Sequence, residues 1–307
     1  MPMPIPDSDG RWPSCDDEQP GISIRPLSHA DLATLLAHLH KLDPDEDLDD
    51  EPAWPAGRAP VVAVRVRATV GRPGASAQAT YQRRRAAEWA AWTRSLPWRA
   101  ALVLTAGAIV GMVAAQVAPR LAGLAGLLAA AAVGWALRFR VSPETSAWRR
   151  GAAGERRTAR QLRHLEPRGW VVLHDLAIPG SAANIDHLLI GPGGVVMIDS
   201  KQYRGRLRLD PSGLLWHGRH LLTMTLRAAR WEADQADEVL GIADVDVAAI
   251  VAVHGASVPW GRLLVSGVTV APASRVPDLL RALPPVLSAE QVAWLADRAR
   301  LRFRPAA

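Results

Sequence analysis

Lysine is nearly missing from this chain. Of 36 basic side chains in 307 residues, only Lys41 and Lys201 are lysine. Neither follows a glycine, which excludes a P-loop, whose phosphate cradle ends in Gly-Lys-Ser/Thr. Cysteine is scarcer still. Cys15 stands alone, so there is no intramolecular disulfide and no cysteine-based zinc site, and a reducing compartment is expected. HExxH is absent, and GASVP at 255–259 puts proline where a nucleophile elbow needs glycine. The opening MPMPIPDSDGRWPSCDDEQPG has no apolar core of the kind a signal peptide carries.

What is present is unevenly distributed. Residues 1–51 hold 3 basic and 13 acidic side chains, whereas 52–150 hold 14 and 2. Such partition implies segments in different surroundings. The expected organisation is an acidic, proline-rich and largely disordered region at 1–60, with a short helix at Ser28–Leu42 capped by Ser28. A basic linker follows at 61–99, with a strand-like alternation at 60–70 for which no role is evident. Residues 100–138 form a hairpin of two apolar helices, 149–260 an α/β domain, and 261–307 a strand and helices completing it.

The hairpin is different in kind. Ala101–Ala118 holds no charge in 18 residues and Leu121–Leu137 none in 17, near the lower limit for a bilayer core, which takes about 17–25 residues. Both are apolar all round, without the polar stripe of a surface helix. Arg83, Arg84, Arg85, Arg94 and Arg99 precede the pair and Arg138, Arg140, Arg149 and Arg150 follow it, while the turn has only Arg120. The positive-inside rule then puts both tails in the cytoplasm, with two spans and the lipid bilayer as partner through 100–138. Trp89, Trp92, Trp98 and Trp135 are placed to anchor the ends. Gly107 and Gly111 make a GxxxG, which in so Ala/Gly-rich a stretch is expected by chance. The competing expectation is a hairpin buried within a soluble protein.

From residue 151 the periodicity becomes that of an α/β domain: a helix over about 153–166, strands at 170–178, 185–191 and 195–201, a hairpin around PSG at 211–213, a helix over about 225–240, an apolar strand at 248–255, then LLVSGVTVAP and helices near 274–283 and 288–302. Side chains alternate across a strand, so Val195, Met197, Asp199 and Lys201 share one face. On the preceding strand Asp186 shares a face with Leu188 and Ile190, and the GPGG turn brings it toward Asp199. Paired carboxylates repel unless a cation sits between them, and oxygen ligands with a backbone carbonyl, here that of Ser200, suit Mg²⁺ or Mn²⁺. Lys201 adds a compact ammonium able to activate water or to stabilise charge on a phosphoryl group. An ordinary Asp–Lys ion pair on a strand is the simpler alternative.

GAAGERR at 151–157, HDLAIPG at 174–180, NIDHLLIGPGGVVMIDSKQYRG at 184–205 and a downstream glutamine helix together resemble the NERD (nuclease-related) domain of the PD-(D/E)xK nuclease superfamily, over about residues 149–260. The resemblance implies a restriction-endonuclease-like mixed sheet flanked by helices, and Mg²⁺-dependent phosphodiester cleavage, of DNA more than RNA. It maps Glu155 to the acidic residue of the first helix, Asp186 to the metal-binding aspartate, Asp199 to the position where glutamate is commoner, Lys201 to the lysine and Gln235 to a helix glutamine. Tyr203, Arg204 and Arg206 follow the lysine, with Arg208 continuing the alternation; they either grip phosphates or form an exposed strand face. His187 points to the opposite face and is expected to pack or to support a ligand, and His174 and His254 are expected to be structural. The alternative function is a catalytically silent module binding nucleic acid or protein at the membrane.

Overall fold

The structure, a computed structural model, describes residues 71–241 and 245–307. The expected helix at Ser28–Leu42 and the alternation at 60–70 lie outside the described residues. In chain order come α1 (Ala75–Arg94), α2 (Leu96–Val117), α3 (Ala122–Ala136), α4 (Pro143–Leu162), β1 (Val171–Ala177), β2 (Asn184–Gly191), β3 (Gly194–Leu209), β4 (Leu215–His217), β5 (His220–Leu221), α5 (Thr223–Leu240), β6 (Val247–Ser257), β7 (Leu263–Val265), β8 (Val268–Pro272), α6 (Val276–Arg281), α7 (Ala289–Arg302) and β9 (Arg304–Pro305). The strands form one mixed sheet in the order β7-β8-β6-β3-β2-β1-β9, with β4 and β5 attached to the far end of β3.

The centre of the sheet follows from its sequence. β3 pairs antiparallel with β2 through the tight GPGG turn and parallel with β6. Leu188, Ile190, Val195 and Met197 face a cluster completed by α5 and α7, while Leu189, Val196 and Ile198 face a second, with Leu162 of α4 and Leu280 of α6. Burying one such side chain contributes about 1.5–3 kcal/mol. A one-residue slip would swap the two faces and drive Asp186, Asp199 and Lys201 to the wrong side.

α4 begins ten residues before the expected start. Ser142 caps it, its Oγ accepting from the Thr145 N–H at 3.1 Å, with Pro143 in the first turn. That first half packs on α1, not on the sheet, so it carries no apolar repeat to read. α1 occupies residues expected as linker; it is rich in Ala, Gln and Arg, good helix formers, and buries only Ala77.

α1 is clamped at both ends. Asp175, fully buried and at φ 52°, accepts from the Ser76 N–H at 2.9 Å and from the Ser76 hydroxyl, and Asn184 Nδ2 adds a bond at 3.0 Å. A carboxylate from β1 thus caps the start of α1 across the fold. At the other end Glu88 of α1 accepts from the Ser142 N–H and hydroxyl and from Thr145 Oγ1, at the start of α4. Gly71 lies so close to β1 that a Cβ there would sit 1.9 Å from the His174 carbonyl oxygen. Asp175→Ala is expected to cost about 2–3 kcal/mol, combining a lost cap with unsatisfied buried donors; thermal unfolding checks this, and an unchanged midpoint would contradict it.

α2 and α3 form the apolar hairpin. α2 buries none of its residues and α3 only Gly126; Leu104, Met112, Val113, Val117, Leu127 and Trp135 stand exposed. The two helices meet where glycines face each other: a Cβ on Gly126 would lie 2.7 Å from the Gly107 carbonyl oxygen and 3.4 Å from Gly111 Cα. The GxxxG is therefore the crossing point of the hairpin, not a coincidence of composition. Its base is held by Trp92 Nε1 of α1 and Arg99 Nη1 of α2, which both donate to the Leu137 carbonyl (3.0 and 2.6 Å). Trp89 stacks on Trp92 at 5.2 Å there and Phe139 meets both edge-on at 4.9 and 5.9 Å, and Arg138 lies over Trp135 at 3.5 Å.

Candidate active site

The sheet opens where its charged residues begin. The β1–β2 ladder steps from His174–His187 to Leu176–Ile185, leaving out Asp175 and Asp186. The β2–β3 ladder stops at His187–Ile198. Asp186 thus sits between two splayed strands, and its Oδ2 accepts from the Ser200 backbone N–H at 2.8 Å. The N–H and carbonyl of one strand residue face the same edge, so the Ser200 carbonyl faces the gap as well.

A cleft of about 530 Å³ occupies this opening. Glu155, Asp186, Asp199, Ser200, Lys201 and Glu232 line it, joined by Ser76, Trp148, Arg150 and Gln202. Lys201 Nζ lies 2.8 Å from Asp199 Oδ1. Asp199 is 3% and Glu155 5% exposed, and Asp199 Oδ2 and Glu155 Oε2 are buried without a hydrogen-bond partner. Orphaned buried carboxylate oxygens are costly, and two on one cleft fit a cation that would complete their shells. Among the described residues, no three His, Cys, Asp or Glu side chains converge tightly enough to hold an ion by themselves.

Electrostatics follow from burial and crowding. Burial, then the charges of Asp175 and Asp199, push Glu155 up to about 7. Burial, then Glu155 and Asp199, hold Asp186 well above the usual carboxylate range. For Lys201 burial acts downward, but Asp199 and Asp186 outweigh it and keep the ammonium protonated above its ordinary value. Of the two roles the sequence left open for this amine, the cation is the one the surroundings favour.

Glu232 of α5 escaped the sequence reading. Burial, then Asp199, raise it to about 8. Its signal was present: it falls within the buried stripe Ala229, Ala233, Ala236, Leu240, where a charge is out of place on an apolar face. Gln235, one turn on, lies outside the cleft and donates to Glu238 Oε2 at 2.9 Å. Tyr203 and Arg204 line a neighbouring cavity of about 400 Å³ with Arg150, Gln202 and His217; Arg150 and Gln202 border both. Arg206 is exposed on β3 beyond the two cavities. Arg208 stacks over Trp216 at 5.7 Å.

Glu155, Asp186, Asp199, Lys201 and Glu232 all fall within one segment that matches a family model. Residues 150–253 match the family model described as Nuclease-related domain. That segment is a NERD domain. NERD belongs to the PD-(D/E)xK-like nuclease superfamily, so a nuclease-related function is indicated for this part of the chain. An uncharacterised protein of Bacillus anthracis is 34% identical over 70 residues, 22% of this chain and 33% of that protein. The match spans a third of that relative's length. No solved structure matches the chain. The NERD segment begins inside α4 and ends inside β6; Ser76 of α1, Glu88 and the β7–β8 pair lie outside it, although Ser76 borders the cleft.

Proposed function

We propose that this chain is a membrane-anchored nuclease that hydrolyses phosphodiester bonds, DNA in preference to RNA, with Mg²⁺ or Mn²⁺. The observation that carries this reading is the pair of partnerless buried carboxylate oxygens, on Asp199 and Glu155, sharing a cleft with Asp186 and Lys201. Asp186, Asp199 and the Ser200 carbonyl would hold the ion. When bound, it supplies Lewis-acid stabilisation of charge on the phosphoryl oxygens.

The chain's own residues do the rest. Lys201, held protonated by Asp199, donates a hydrogen bond to the phosphoryl oxygen as negative charge develops. It has no free pair with which to take a proton. Glu155, with a pKa near 7, is matched to accept the proton of the attacking water. Arg150, which borders both cavities, and Arg204, which lines the second, meet the backbone phosphates beside the scissile bond. The apolar hairpin would sit in the bilayer with both tails cytoplasmic, its exposed Leu and Val surface covered by lipid.

A titration with Mn²⁺ tests the reading apart from catalysis. The wild-type chain is expected to bind Mn²⁺ and Asp186→Ala to bind it at least about tenfold more weakly, since one of few ligands is gone. Equal binding by both would overturn the site.

A pH dependence follows. Glu155 and Glu232 have folded-state values of about 7 and 8, above the ordinary 4.5. Their raised values mean stability that is full at low pH and is lost as pH rises through 7–8. Burial holds His174 down to about 4, with His187 and His254 also lowered, so the histidines remove stability only as pH falls below about 6.5. Between pH 6.5 and 8.5 the carboxylates therefore dominate. The metal-free melting temperature should fall across that window, and Mg²⁺ should restore more of it at pH 8.5 than at 6.5. A flat metal-free profile would contradict the carboxylate cluster.

A further inference from the structure

Behind the site, on the reverse face of the same strands, a second polar array runs through the apolar cluster of Leu189, Val196 and Ile198. His174 Nδ1 lies 2.8 Å from His187 Nδ1, and His187 Nε2 lies 3.2 Å from Ser200 Oγ. Ser200 Oγ is 2.9 Å from Thr158 Oγ1, which is 2.8 Å from His254 Nε2. Thr158 and His187 are fully buried, Ser200 and His254 nearly so. The chain links β1, β2, β3, α4 and β6.

Its members alternate with the site residues. His187 follows Asp186, Ser200 separates Asp199 from Lys201, and Thr158 lies one helical turn after Glu155. Period two on β2 and β3 puts one partner of each strand pair on each face. Each hydroxyl has one hydrogen, and two Nδ1 atoms facing at hydrogen-bond distance cannot both be protonated. All links are satisfied only if the donors run in one sense from end to end: from His174 toward His254, or the reverse. Losing one link orphans its neighbours in a low-dielectric interior, so the array is held together strongly or fails together.

The chain reaches the site through one residue. The Ser200 hydroxyl is its centre, and the Ser200 backbone N–H donates to Asp186 Oδ2 at 2.8 Å. That bond spans the gap where the β2–β3 ladder has ended, so the ladder does not hold Ser200 against Asp186. We propose that the buried chain of His174, His187, Thr158 and His254 fixes Ser200, and through its N–H fixes the Asp186 carboxylate opposite Asp199. They are positioning residues, acting on the site without touching substrate. The consequence for cleavage rests on the nuclease reading above; the positioning itself does not.

Thr158→Val, nearly isosteric but without the hydroxyl, tests this in the full chain. The Ser200 amide is expected to lose hydrogen-exchange protection by at least about tenfold, while Val196 and Ile198 amides stay protected. Mn²⁺ affinity should weaken by about 10–100-fold, the usual scale for groups that orient a ligand, and kcat should fall while KM for nucleic acid holds. Thr158→Ser should restore all three. If Thr158→Val does not fold, Ser200→Ala removes the same link at the centre of the chain and should expose the same amide. Unchanged Ser200 protection in a folded variant overturns the proposal. A wild type that neither binds Mn²⁺ nor cleaves would sink the nuclease reading instead, and the amide measurement would still decide this one.

Discussion

Asp199→Ala is expected to reduce Mg²⁺-dependent cleavage by about 10³-fold or more, the scale of losing a main stabiliser of transition-state charge. The same change should leave the metal-free fold at least as stable as wild type. Asp199 is buried among Glu155, Asp186 and Glu232, so removing it relieves repulsion. Lys201 retains other carboxylates and, at 37% side-chain exposure, access to water. Lys201→Met should behave in the opposite way in the fold: it too abolishes cleavage, but it leaves the carboxylates without the cation that faces them and lowers the melting temperature above pH 7. Lys201→Arg separates the two roles of the amine. A residue that only supplies positive charge tolerates arginine in part, so measurable activity is expected above that of Lys201→Met. Activity of Lys201→Arg at the Lys201→Met level would mean that proton position at this amine matters after all.

The second large effect concerns the hairpin. Wild type is expected in the membrane fraction, extractable only by detergent, and a chain lacking residues 96–138 in the soluble fraction. The deletion should join the end of α1 to the start of α4, because Glu88 already bonds Ser142 and Thr145 there. A fragment beginning at 145 is not equivalent. It loses Ser142, the cap of α4, and Ser76, the partner of Asp175, and it strips a wall from the cleft. Its unfolding midpoint should lie below that of the deletion by several degrees, with roughly 2–4 °C for each kcal/mol in a domain of this size. Equal midpoints would show that α1 is only a tether. A soluble wild type would contradict membrane anchoring.

The sequence carried much of this. Alternation along VVMIDSK put Asp199 and Lys201 on one face, and the GPGG turn brought Asp186 toward them, because strand period and turn length are local properties. All three lie in the cleft. The strand order, with β6 parallel beside β3, was not legible, since it depends on which apolar edge the next strand finds. α1 was invisible for a related reason: it buries a single alanine, and polar contacts made across nearly a hundred residues, such as Ser76 to Asp175, leave no local pattern. Glu232 could have been found from its place in an apolar stripe. Gln235 was favoured by resemblance, and the helix turns it to Glu238. The histidine chain was half visible: alternation put His187 on the rear face, but only the fold shows Ser200 meeting Thr158 there, and Thr158 meeting His254.

The most direct measurement is cleavage of defined DNA and RNA substrates by the full chain, with Mg²⁺ and with a chelator. Strand scission that requires the ion, favours DNA and disappears in Asp199→Ala is the predicted result. No scission of any substrate with either Mg²⁺ or Mn²⁺, or scission that survives the chelator and both Asp199→Ala and Lys201→Met, would contradict it.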